Sequence, residues 1–214
     1  MLIEKINNQF IQYGLFGFIK RVVLFFIRKI GITYESYFFL QMDLDDYTPY
    51  DYSNAITAQR LTYEDFENSI NGHNYLDISE SKRKLIYERF KKGGYIAFGV
   101  LNNNELVYAS WLSLDELEIP GNGIIKIKEN ECFFLDDYCA THMRRHGIHK
   151  VASAERIQTA KNRGKKKASI VVLKENRPAL KTQIDFGFKK CFSFYYIEFF
   201  KWNKSNFLKQ YIKW

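Results

Sequence analysis

Hydrophobic positions in the first thirty residues recur at three- and four-residue steps: Ile11, Leu15, Phe18, Ile19, Val22, Val23, Phe26 and Ile30. That spacing predicts an amphipathic helix, closed by Gly31. Leu24 and Phe25 widen its apolar side, and Lys20, Arg21, Arg28 and Lys29 have no acidic neighbour on it. Packing is the commoner fate of such a helix, so it is expected to cover its own chain or to form a homodimer. An interfacial helix in peripheral contact with an anionic membrane stays open as the alternative. An aromatic-rich run over residues 34–44 predicts a strand, residues 45–52 a connector containing Pro49, and residues 56–61 a second strand.

The pattern then turns helical twice. Thr62 is expected to cap a short helix with Glu64 and Asp65 in its first turn. Ser79 is expected to cap a second, which carries Leu85, Ile86 and Phe90 inward and stops at Gly93 and Gly94. Strands at 95–101 and 106–112 flank an Asn-rich hairpin turn, and a loop at 120–123 opens to a strand at 124–127. Residues 133–140 are an apolar strand, followed by a basic turn and a helix ending near Gly164. A continuous apolar run at 168–173 suits a strand covered on both faces. A helix at 176–186 tolerates Pro178 in its first turn. Residues 188–202 are β-like, as one long strand or a hairpin, and residues 207–214 form a last amphipathic turn.

The basic turn carries the candidate chemistry. Arg144, Arg145, His146, Gly147, Ile148, His149 and Lys150 stand where a strand empties through a glycine-containing turn into a helix. First-turn N–H groups have no intrahelical partner, and the helix dipole adds partial positive charge, so this arrangement suits a pyrophosphate.

Arg144-x-x-Gly147-x-His149 resembles the Arg/Gln-x-x-Gly-x-Gly/Ala signature of the GNAT acyl-CoA N-acyltransferases, with His149 in place of the small last residue. Downstream, Asn176-x2-Ala179-x7-Gly187-Phe188 resembles that family's Asn-containing segment ending in Gly-Phe. The resemblance covers roughly residues 55–200. It implies an α+β fold: a central mixed, mostly antiparallel sheet flanked by helices. Residues 1–50 would be an N-terminal extension of helix plus strand, and residues 51–214 the acyltransferase domain. It also implies that backbone at Cys139, Ala140 and Thr141 binds the pantetheine arm, that the amides of residues 144–150 hold the pyrophosphate, and that Asn176 bonds backbone or the pantetheine amide. Asn176 has a structural role open beside this, as a helix N-cap. His149 would either crowd the turn or, if protonated, add a contact.

Asp136 and Asp137 are neighbours on the strand and point to opposite faces. One of them, Asp136 first and Asp137 second, is expected to act as the base or acceptor-orienter, with a raised pKa if held in a dry cleft. A structural carboxylate bonded to backbone is the equal alternative. The tyrosine that protonates the leaving thiolate in many GNAT enzymes is replaced by Gln183. Tyr138, Tyr195 and Tyr196 are more readily explained as packing.

Composition narrows the partners. The 214-residue chain is 46% hydrophobic and 17% aromatic, which excludes disorder. A net charge of +8 suggests anionic partners. Only a phosphorylated ligand has a motif behind it, and no nucleic acid is expected. Cys132, Cys139 and Cys191 have no CxxC pairing and suit a reducing, cytoplasmic setting. His142, His146 and His149 lack a carboxylate or Cys to complete a metal site, so no metal is expected. The expected function is therefore transfer of an acyl group, acetyl-CoA being the default co-substrate, to the amine of a small molecule such as an amino sugar or cell-envelope precursor. An aminoacyl-tRNA-dependent transferase and a non-catalytic acyl-CoA-binding module are the alternatives.

Overall fold

In a computed structural model of the chain, the described residues are 2–29, 31–48, 56–71, 80–102, 105–119, 123–199 and 202–213; side chains at 2–13, 21, 70–71, 118 and 213 are outside the description. The chain runs α1 (Leu2–Lys29), β1 (Ile32–Asp43), β2 (Gln59–Leu61), α2 (Tyr63–Asn71), α3 (Glu80–Lys92), β3 (Tyr95–Asn102), β4 (Glu105–Ser113), β5 (Glu116–Ile119) and β6 (Gly123–Lys126). It continues through β7 (Glu131–Cys139), α4 (Ile148–Asn162), β8 (Lys167–Leu173), α5 (Arg177–Asp185), β9 (Lys189–Phe199), β10 (Trp202–Ser205) and α6 (Phe207–Lys213). It divides into two units: residues 1–42, 118–125 and 170–214, and residues 43–117 and 126–169.

In the second unit the strands lie in the order β7-β4-β3-β2, all antiparallel. One face of this sheet meets α2 and α3 through Leu61, Phe66, Ile86, Ala97, Ala109 and Trp111. The other meets α4 through Val100, Val107, Tyr108, Ile148 and Ala152. α2 starts as its sequence predicts. Thr62 Oγ1 accepts from the Asp65 amide at 3.2 Å while Asp65 Oδ2 accepts from the Thr62 amide at 2.7 Å, a reciprocal capping box. α3 stops at two left-handed glycines, Gly93 and Gly94. The expected cap at Ser79, the expected hairpin turn and the loop at 120–122 fall wholly or partly outside the described residues, as does a boundary near residue 50.

In the first unit the order is β10-β9-β1-β8, with β1 antiparallel to β9 and β9 to β10. The β-like tail is thus a hairpin. Phe39 of β1 stacks on Phe192 of β9 with ring centroids 4.7 Å apart, and Phe207 of α6 sits edge-on to Phe194 at 4.9 Å. α1 begins nine residues before Ile11, at Leu2, and breaks at Gly14, which is not helical (φ +66°, ψ 173°). Gly31 closes it as expected, its amide donating to the Arg28 carbonyl at 2.9 Å. The strand β5, which pairs with β6 as a two-stranded ribbon, was not foreseen.

Gly99 of β3 is paired with Gln59 of β2 on one side and Ala109 of β4 on the other. A Cβ there would lie 2.7 Å from the Tyr108 carbonyl oxygen and 2.5 Å from Leu61 Cδ1. The carbonyl is held in the ladder and cannot withdraw. Gly99→Ala is expected to cost about 1–3 kcal/mol, measured as a lowered urea midpoint with an unchanged slope.

Candidate active site

The β4–β7 ladder pairs Ala109 with Tyr138 and then Trp111 with Leu135, so Asp136 and Asp137 together face Ser110. Two residues opposite one make a β-bulge, which bends the strand and re-aims its side chains. Asp136 takes a φ of +50°, a left-handed conformation that Asp tolerates better than most residues. The two carboxylates part there. Asp136 pairs with Lys82 Nζ at 2.7 Å and with the Arg89 guanidinium, both from α3. Asp137 receives Arg156 Nη1 at 2.6 Å and lies 3.1 Å from His149 Nε2, both from α4.

Arg156 is wholly buried. A buried guanidinium is tolerable only with a counter-charge and further contacts. It has Asp137, a second hydrogen bond to Ser153 Oγ at 2.8 Å, and the Phe134 ring 4.2 Å from its central carbon. Burial alone would raise the Asp137 carboxyl. The Arg156 charge and the His149 hydrogen bond outweigh it and hold that carboxyl far below the ordinary carboxylate range. Asp136 is likewise lowered, because Arg89 and Lys82 together outweigh its burial. The raised pKa expected for a base on this strand is therefore not what the geometry provides: Asp136 is committed to two cations, and Asp137 to Arg156 and the His149 ring.

Past the bulge, the Ala140 amide donates to the Val107 carbonyl at 2.8 Å. By strand alternation the N–H and C=O of Cys139 face away from β4, and the Cys139 carbonyl accepts Arg144 Nε at 3.3 Å. A 3-10 turn, Thr141–Met143, leads into Arg145 (φ +69°) and Gly147 (φ +77°). Gly147 is the N-cap of α4 and supplies no side-chain cap. Its left-handed φ is the reason for glycine here, since a Cβ would meet nothing within 4 Å. Thr141, Arg144, Arg145 and His146 are exposed, Lys150 is half-buried, and Ile148 is buried in the cluster with Tyr108 that anchors the helix start. Exposed cationic side chains around an uncapped helix start fit a phosphate group.

His149 turns onto Asp137. The other two histidines go elsewhere: His142 lies 3.9 Å from Glu105, and His146 Nδ1 lies 3.0 Å from the Arg144 carbonyl oxygen. Burial raises the Cys139 thiol, and it pushes Cys132 up to about 12, so neither is a ready thiolate nucleophile. Asn176 belongs to the first unit, where its side chain caps α5 by accepting from the Ala179 amide at 3.3 Å. Gln183 is buried on α5. Lys82, Arg89, Ser153 and Arg156 were missed in the sequence. Arg156 carried a signal: it stands alone among Ala152, Ser153, Ile157 and Ala160, the buried positions of α4 at helical spacing. Lys82 and Arg89 carried none.

No protein-family model matches the chain, and comparison with curated proteins gives no match either. Solved structures do match in fold. A GCN5-related N-acetyltransferase from Kribbella flavida matches with a TM-score of 0.52 and 15% identity, over 82% of this chain and 62% of that one. A GNAT-family structure from Novosphingobium aromaticivorans gives 0.51 and 14%, over 78% and 65%. AAC(6')-Iy, solved with the bisubstrate analogue CoA-S-monomethyl-acetylneamine, gives 0.50 and 12%, over 64% and 92%. The chain has the GNAT fold, and it spans somewhat less than two-thirds of the length of the first two.

Replacing Arg156 by Met leaves the partly exposed Asp137 carboxylate without its main partner. We expect a loss of about 1–3 kcal/mol in urea unfolding at neutral pH. The folded Asp137 carboxyl is depressed, so its stabilisation is present above the unfolded carboxylate value, about 3.9. It is lost as pH falls through the folded value. The difference between Arg156→Met and wild type should therefore shrink on acidification below about pH 4.

Proposed function

We propose that this chain is an acyl-CoA-dependent N-acyltransferase, with acetyl-CoA the default donor and the amine of a small molecule as acceptor. An amino sugar or cell-envelope precursor is the acceptor class that best suits the reading. The observation that carries it is the turn from Arg144 to an uncapped α4 through two left-handed residues, next to a bulged β7 whose outer edge at Cys139 faces away from its ladder. Support comes from the fold, and from a structural neighbour solved with a CoA-containing analogue. Arg144, Arg145, His146 and the first-turn amides of α4 would hold the pyrophosphate, and the Cys139 edge the pantetheine arm. Acyl-CoA supplies an activated thioester there.

The raised Cys139 and Cys132 thiols argue against an acyl-cysteine intermediate, so the amine attacks directly. Asp136 and Asp137 act as positioning residues, ionised throughout. They hold the bulge between α3 and α4 rather than take the proton, and the acceptor reacts as its neutral amine. The setting is the reducing cytoplasm, in which Cys132, Cys139 and Cys191 remain free thiols.

Calorimetric titration with acetyl-CoA tests the cradle. Binding is expected, weakened about tenfold or more in the double variant Arg144→Ala, Arg145→Ala, since each lost phosphate contact is a charge-assisted hydrogen bond. No binding at millimolar ligand sinks the reading. Release of free CoA thiol with a panel of amines tests turnover, and binding without turnover assigns the chain to non-catalytic acyl-CoA binding. Where turnover occurs, kcat/KM should rise with pH along the acceptor's own titration. Both carboxyls lie below their ordinary value, so they should add no limb between about pH 5 and 8.

A further inference from the structure

α1 is amphipathic in the wrong direction for a helix packed on its own domain. Past the break at Gly14, two of its basic residues pair with the rest of the unit, Lys20 with Glu175 and Arg28 with Glu35. One apolar stripe turns out. Leu15, Phe16, Ile19, Val23, Phe25 and Phe26 are all at least half exposed, Phe16 at 80%. Positions 15, 16, 19, 22, 23 and 26 fall in one stripe of about 120° on a helix of 3.6 residues per turn. Nor is the inner side sealed. A cavity of about 400 Å³ lies between the helix and the sheet, bounded by Phe18, Leu24, Tyr34 and Leu173 and reached also by Val22, Phe25 and Phe26.

The same unit also exposes Phe199, Trp202 and Ile212. It carries fourteen Lys and Arg against six Asp and Glu, while the other unit has eighteen of each. The whole net charge of +8 therefore sits with the exposed apolar helix. A stripe of this kind needs a cover. A second copy would bring two such cationic units together, and like charges oppose that. An anionic surface with an apolar interior satisfies both features at once: the stripe enters the acyl boundary and the surrounding lysines meet the headgroups. Lys29, exposed beside the Phe25 ring, is placed to reach a headgroup along its own stem. No helix among the described residues is long and apolar enough to cross a membrane.

We propose that α1 from Leu15 to Lys29 lies in the interface of an anionic membrane, apolar stripe down, and that the cationic unit behind it rests on the headgroups. This is independent of the acyl-transfer reading. Sedimentation of the full chain with vesicles tests it, using phosphatidylcholine alone or three parts phosphatidylcholine to one part phosphatidylglycerol. Partitioning into the anionic vesicles is expected, falling about tenfold in Phe16→Glu, Phe26→Glu and also falling at high salt. Both positions are exposed, so the variant should keep the wild-type circular dichroism and melting transition. Absence of binding to the anionic vesicles, equal binding to the neutral ones, or undiminished binding of a folded variant overturns the proposal. So does a dimer in sedimentation velocity that the same variant dissociates, which would assign the stripe to a second copy.

Discussion

A wholly buried guanidinium is the constraint around which the second unit is arranged. Arg156 has no solvent to solvate it, so it requires Asp137, and Asp137 must leave the regular course of β7 to reach it. The bulge that permits this sends the preceding Asp136 into a left-handed conformation and onto the cations of α3. Two adjacent carboxylates thus tie one strand to helices on both of its faces. Removing Asp137 costs more than its pair with Arg156 contributes, because the guanidinium stays buried and charged.

The arrangement explains why β7 does not continue its ladder regularly into the turn. Antiparallel pairing resumes for Tyr138 and Cys139, and the chain then leaves β4 at the Ala140–Val107 hydrogen bond. The segment from Thr141 to Gly147 is short and basic, and it enters α4 without a capping side chain. Ile148 fixes the first turn of that helix from below through the cluster with Tyr108 and Ala152. His149, one residue on, is drawn to Asp137, so the residue that departs from the small-residue signature joins the bulge network.

The first unit obeys a different logic. Its interior is aromatic, with Phe39, Phe192, Phe194 and Phe207 in mutual ring contact, and that cluster needs no charge to organise it. Charge is used at α1 instead, where Lys20 and Arg28 attach the helix by its polar side to Glu175 and Glu35. Ion pairs at partly exposed sites contribute little each. The helix is therefore held by modest forces on one side, with most of its hydrophobic driving force unspent on the other.

Much of the fold was legible in local sequence. Capping at Thr62, the stops at Gly93 and Gly31, the Asn176 cap and the apolar strands all depend on neighbours within a few residues, and periodicity reports them directly. The turn from Arg144 to Lys150 was legible for the same reason, since a helix start and its cations are contiguous. Three things were decided only in three dimensions. β1 lies between β8 and β9, partners more than a hundred residues away, and no local pattern encodes that choice. The carboxylates at 136 and 137 were visible as candidates, but their protonation depends on Arg89, Lys82 and Arg156, brought from distant helices, and pKa depends on proximity in space rather than in sequence. The α1 pattern showed that the helix is amphipathic and favoured packing of its apolar side, whereas the structure leaves a stripe of that side exposed. Where Glu35 and Glu175 stand decided this, because a salt bridge can hold a helix by its polar side only when its partners are already in place.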